Sequence, residues 1–123
     1  MLLYHLEQTT NFISFFEEAI KKLAQNLKDQ SVVSDIGVGV GMTSALISKM
    51  KGVRKVCAYE ISESGKSQVP FVLRHFNAPS EKIEYISGTF RNMSVSASCD
   101  LIVMCGSFHH CDDADLPLLF NSL

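Results

Sequence analysis

The sequence predicts an α/β fold, strands and helices alternating along one chain around a mostly parallel sheet. Three observations predict it. Short apolar runs recur between stretches whose apolar residues fall at three- and four-residue steps. The stretch from Ser31 to Ser48, SVVSDIGVGVGMTSALIS, passes from a strand-like run through Gly37, Gly39 and Gly41 into helix-forming residues. The run Leu101-Ile102-Val103-Met104 is apolar without alternation, as expected of a strand covered on both faces. Such alternation implies right-handed crossovers and a layered sheet with helices on its faces.

At 123 residues, 46% hydrophobic and 20% charged, the chain is expected to form one domain around one core. A net charge of −2 argues against a broad nucleic-acid surface. Cys57, Cys99, Cys105 and Cys111 lack the paired spacing of zinc ligands and read as reduced thiols. The start, MLLYHLEQTT, has no basic region, apolar run or cleavage site of a secretory signal, and no apolar run approaches the roughly 20 residues of a membrane span. A cytoplasmic location is expected.

The first element is a helix over 10–29, preceding a core over 31–123. Its apolar positions are Phe12, Phe16, Ala19, Ile20, Leu23 and Leu27, and the Thr9-Thr10-Asn11 cluster can cap it. Glu17 and Glu18 precede Lys21 and Lys22 by four residues, the favourable order for exposed ion pairs. The Phe12, Phe15 and Phe16 side is expected to lie on the sheet. Strand one follows Asp29-Gln30, and after the glycine turn a helix runs from about Met42 to Met50, stopping at Gly52. Strand two covers Lys55 to Tyr59 and ends on Glu60.

Ser62 to Phe76 has helical spacing, but Pro70 removes an N–H and is expected to kink the helix or delay its start. Asn77-Ala78-Pro79-Ser80 reads as a loop, and Lys82 to Ser87 as strand three, ending at Gly88. Thr89 to Ser98 is polar and irregular by composition. Strand four spans Cys99 to Cys105, and Asp112 to Leu123 opens with acids suited to a helix start.

In parallel sheets ligands bind beyond the carboxyl ends of the strands. That rule gathers Asp35 to Gly41, Glu60, Gly88 to Phe90, and Cys105 to His110 at one end. Glycines let the main chain bend sharply and approach a ligand, and a carboxylate after strand two can accept from both hydroxyls of a ribose. The dinucleotide pattern G-x-G-x-x-G asks for glycine at position 42, which holds Met42, so that fit is partial. His109 and His110 have the intrinsic pKa of a general base, or only begin the next loop. Adjacent side chains such as His109, His110, Cys111 and Asp112 seldom converge on one ion, and no metal is expected.

VVSDIGVGVG, CAYEIS, IEYISGTFRN and CDLIVMCGSFHH occur in this order. Together they resemble the four leading segments of class I S-adenosylmethionine-dependent methyltransferases, over roughly Ser31 to His110. The resemblance implies a three-layer Rossmann-like sheet with strand order 3-2-1-4. The family normally has seven strands, so the sheet is expected to be incomplete, with an open edge at Leu101 to Met104 where a second copy or a partner chain could pair.

By the same resemblance Gly37, Gly39 and Gly41 line the methionyl part of the cofactor. Asp35 holds the turn, or the ammonium group through water. Glu60 grips the ribose hydroxyls and Ile61 packs on the adenine. After Gly88 the family usually shows an acid that contacts the adenine amino group. Thr89 stands there instead, offering a hydroxyl without charge, with the backbone near Phe90 as a substitute. Cys105 and Gly106 fall where strand four meets the reacting methyl.

The implied activity is methyl transfer from S-adenosylmethionine to an acceptor that the sequence does not name. Two other readings stand beside it, a nicotinamide-dependent oxidoreductase and a non-catalytic module that keeps the fold.

Overall fold

A computed structural model of the chain describes residues 11–60, 63–88 and 99–105, together with 113, 114, 117 and 121. Its elements are α1 (Phe12–Ala24), β1 (Ser31–Ile36), α2 (Met42–Ser48), β2 (Val53–Glu60), α3 (Glu63–His75), a 3₁₀ turn (Ser80–Lys82), β3 (Ile83–Ser87) and β4 (Leu101–Val103). The four strands form one parallel sheet in the order β3-β2-β1-β4, the order expected.

β1 is central, and all six of its residues are buried, which explains its unbroken run of small and β-branched side chains. Val33, Val56 and Leu101 face α1 and α2, where they pack with Ile20 and Ile47. Val32, Ile36, Cys57 and Tyr59 form a cluster on the opposite face. A third cluster joins Ala45 and Leu46 of α2 to Ile13 of α1 and to Val69, Val72, Leu73 and Phe76, locking α3 against both. Burying each of these larger side chains contributes roughly 1.5–3 kcal/mol.

α1 is shorter than the expected 10–29, and of its expected apolar positions Phe16, Ile20 and Leu27 pack inward while others do not. Ile13 and Ile20 are buried with Phe16 beside them, whereas Phe15 is 68% exposed and Ala19 and Leu23 lie outside. The packed positions follow the step 13-16-20-27, and Leu27 reaches the core after the helix has ended. Asn11 adopts a left-handed conformation and makes no side-chain cap. Lys22 meets Glu18 at 3.7 Å, one of the two ion pairs the spacing implied.

α2 also ends early, at Ser48. The Ser48 hydroxyl donates to the Ala45 carbonyl, and Lys82 Nζ donates to the carbonyls of Ser48 and Val53, so the helix end and the start of β2 share one cation. Gly52 does take a positive φ of 94°, but it serves the turn into β2.

Pro70 does not delay α3, which begins at Glu63 and continues to His75. The proline faces solvent, away from the packed side of the helix. The helix closes on Asn77 in the left-handed region at φ 51°. The Asn77 N–H donates to Arg74 and the Ala78 N–H to Leu73, the paired bonds of a Schellman ending.

β4 is three residues long where seven were expected, and it is half-buried on both faces. Asp100 ends the ladder with β1: its N–H donates to the Val32 carbonyl and its carboxylate accepts from the Val32 N–H, both at 2.8 Å. Among the described residues β4 pairs with β1 alone. The expected irregular segment 89–98, and most of the helix expected from Asp112, lie outside the described residues.

Candidate functional site

The glycine turn is held by the neighbouring strand. The N–H groups of Gly37 and Val38 both donate to the Tyr59 carbonyl, at 2.9 and 3.2 Å, and Gly41 donates to Val38 at 3.0 Å. Gly37, Gly39 and Gly41 have φ values of 76°, 59° and 94°, a region costly for other residues. They differ in surroundings. A Cβ on Gly39 would meet nothing within 4 Å, so the turn presents bare main chain to open space there. A Cβ on Gly41 would press on Tyr85 Oη at 3.1 Å and Val69 Cγ2 at 3.3 Å.

Glu60 ends β2 and is 7% exposed. Its Oε2 accepts a hydrogen bond from the Gly39 N–H, so the carboxylate is aimed at the turn. The Gly88 N–H, after β3, donates to the Glu60 carbonyl at 3.4 Å. The ends of β1, β2 and β3 therefore converge.

Asp35 lies one layer deeper, 1% exposed. It accepts from the Ser44 hydroxyl at 2.7 Å, which ties β1 to α2 directly below the turn. Burial pushes its pKa up to about 6; the Ser44 bond opposes the rise and the Glu60 charge adds to it. Cys105 follows β4 and its sulfur is hydrogen-bonded with Thr43. Burial raises its pKa, and Asp35 adds a smaller push. The thiol is thus held protonated, in keeping with a packing role.

The structure brings together Asp35, Gly37, Gly39, Gly41 and Glu60, with Gly88 and Cys105 at the neighbouring strand ends. Ile61, Thr89, Phe90, Gly106, His109 and His110 lie outside the described residues. Three residues escaped the sequence reading. Gly65 in α3 passes so close to the turn that a Cβ there would sit 2.6 Å from the Gly39 carbonyl oxygen. Its isolated position in a helical pattern was the available signal. Ser44 holds Asp35, and Tyr85 underlies Gly41. Tyr85 occupies the register position beside Ala58, which is itself beside Asp35. The small Ala58 separates phenol from carboxylate, and burial with the Asp35 charge pushes the Tyr85 pKa up to about 12.

Comparisons with known proteins bear on this arrangement. Residues 33–123 match the family model described as a methyltransferase domain. A comparison with curated proteins finds no match. Among solved structures, a Methanococcus maripaludis protein described as an S-adenosyl-L-methionine-dependent methyltransferase superposes with a TM-score of 0.75 at 18% identity. The alignment covers 97% of this chain and 54% of that one.

Phosphoethanolamine N-methyltransferase 1 of Haemonchus contortus, solved with phosphoethanolamine and S-adenosylhomocysteine, gives 0.67 at 18% identity, over 92% and 23%. A Thiobacillus denitrificans S-adenosylmethionine-dependent methyltransferase in complex with S-adenosyl-L-homocysteine gives 0.63 at 17% identity, over 86% and 44%. The chain thus spans about half the length, or less, of these structures. At such identities they establish the shared fold. The family match covers β1 from Val33 onward, the glycine turn and Glu60, and on that match the chain belongs to the methyltransferase domain family.

Proposed function

We propose that the chain is the cofactor-binding portion of an S-adenosylmethionine-dependent methyltransferase. The observation that carries the reading is the Glu60 carboxylate held against the Gly39 N–H, beside a stretch of main chain with open space over it. The cradle fits an adenosyl cofactor. Bare backbone at Gly39 accepts close approach, and a carboxylate with about four acceptor sites can take both ribose hydroxyls while keeping a backbone bond. Burial chiefly, with a smaller contribution from the Glu60 charge, raises the Asp35 pKa, so negative potential gathers beside the turn and suits a cationic ligand. The solved relatives in complex with S-adenosylhomocysteine support the same class of ligand.

In this reading Glu60 holds the ribose, Gly37 and Gly39 lie along the methionyl part, and Asp35 keeps the turn in place through Ser44. Ile61, Gly88, Thr89 and Phe90 are assigned to the adenine side, and Cys105 and Gly106 to the reacting end. When bound, S-adenosylmethionine supplies an activated methyl on a sulfonium. The protein's part is then alignment, which can supply several kcal/mol of the barrier without an acid–base pair. The free thiols of Cys57, Cys99 and Cys105 suit the reducing cytoplasm expected from the sequence. Among the described residues no helix is long and apolar enough to cross a membrane.

Calorimetric titration with S-adenosylmethionine, S-adenosylhomocysteine and NAD tests the proposal. Binding of the two adenosyl amino acids and not of NAD is expected. Binding of NAD alone would give the site to a nicotinamide enzyme. Binding of S-adenosylmethionine with no transfer to any acceptor across protein, nucleic-acid and small-molecule panels, even by the longest natural form of the chain, would make it a non-catalytic module.

A further inference from the structure

A groove of about 740 Å³ runs between α3, the 3₁₀ turn and β3. Val69 and Tyr85 form its wall toward the glycine turn, since the same two side chains are those that a Cβ on Gly41 would touch. It is therefore a separate concavity, behind the turn. Its long sides are apolar, with Val69, Pro70 and Leu73 from the helix and Ile83 from the strand. Its two basic residues stand well apart. Lys66 donates to Ser87 Oγ. Arg74, exposed and eight residues further along the same helix, stands about 12 Å away, beside Asn77 and Ser80.

None of the ten lining residues is acidic, although the whole chain carries a net charge of −2. The positive lining is thus a local feature set against the overall balance. A volume of this size, an apolar body and a few polar groups are the attributes of a small-molecule site.

We propose that this groove binds a small organic anion with an apolar body, its head group on Arg74 and its body along Val69, Leu73 and Ile83. Arg74 is the anchor because a guanidinium offers two parallel donors to a carboxylate, sulfonate or phosphate, and because Lys66 is already engaged with Ser87. The proposal is independent of the cofactor reading. It concerns the other side of Tyr85, and neither Arg74 nor Ala78 belongs to the cofactor cradle.

The probe is 8-anilinonaphthalene-1-sulfonate, followed by fluorescence and calorimetry on the full 123-residue chain. One saturable site is expected. Decanoate should displace the probe, and a tetraalkylammonium ion should not. Arg74→Glu should weaken binding at least tenfold and Arg74→Lys by only a few-fold. Ala78→Phe, which fills the groove, should abolish binding. Circular dichroism and affinity for S-adenosylmethionine should stay as in the parent, showing the fold intact. No saturable binding, several equivalent sites, or unchanged affinity in Arg74→Glu would overturn the proposal. So would binding confined to an extended acidic peptide, which would give the groove to a macromolecule.

Discussion

The carboxylate of Glu60 accepts a hydrogen bond from the Gly39 N–H, joining the last residue of β2 to the middle of the glycine turn. Gly39 itself is exposed, so this bond rather than burial protects its amide. Glu60→Ala is expected to speed hydrogen exchange at Gly39 by about tenfold, the loss of one charge-assisted bond. Exchange unchanged from the parent would mean that the bond is not maintained in solution.

Gly65 of α3 lies directly against the glycine turn. In an ordinary exposed helix Gly→Ala stabilises by about 0.5–1 kcal/mol. Here the added Cβ would lie 2.6 Å from a backbone oxygen, and neither backbone can move as a side chain does. Gly65→Ala is expected to destabilise by about 1–3 kcal/mol in urea unfolding. A gain in stability would place α3 further from the turn than described.

The raised pKa of Asp35 makes a signed prediction. The folded protein holds this proton up to about pH 6, whereas the unfolded chain loses it near the ordinary carboxyl value of 3.8. Between those values the folded state binds more protons, so the Asp35 contribution to stability falls as pH rises. The charge is fully costly above pH 6 and the cost is relieved as pH falls toward 4. Asp35→Asn removes the titration and keeps an acceptor for Ser44. The stability of the variant relative to the parent should therefore be greater at pH 7.5 than at pH 5, by about 1–2 kcal/mol. A difference that is flat, or of opposite sign, would show that the carboxyl is not desolvated.

Tyr85 Oη is buried and has no hydrogen-bond partner among the described residues. An unsatisfied buried hydroxyl costs about 1–3 kcal/mol, so Tyr85→Phe should leave the fold equally stable or raise its stability by about 1 kcal/mol. Thermal unfolding reads this directly. A loss exceeding about 1 kcal/mol would reveal a partner for the phenol.

The strands were legible as short runs rich in β-branched and apolar residues, unbroken in the fourth, and the glycine spacing with Glu60 marked the strand ends that converge. Their order came with the family resemblance, since periodicity does not say which strands are neighbours. What escaped depends on contacts across the fold. The inward side of α1 was read only in part: Phe16, Ile20 and Leu27 were legible, whereas Ile13 was passed over beside the larger Phe15, which is exposed. The inward direction is set by where α2 and α3 lie. Pro70 looked like a break because its exposure could not be known. Gly65, Ser44 and Tyr85 matter through partners 26, 9 and 44 residues away, at Gly39, Asp35 and Gly41. Apart from the lone glycine in a helical pattern at Gly65, nothing local in the sequence announces such pairs.

If Glu60 grips a ribose over the glycine turn, its removal must weaken binding of the cofactor product, which calorimetry of S-adenosylhomocysteine binding to the parent chain and to Glu60→Ala measures. Loss of charge-assisted ribose contacts should cost about 1.5–3 kcal/mol, a roughly 10- to 150-fold rise in Kd. Equal affinity in the two proteins would contradict it.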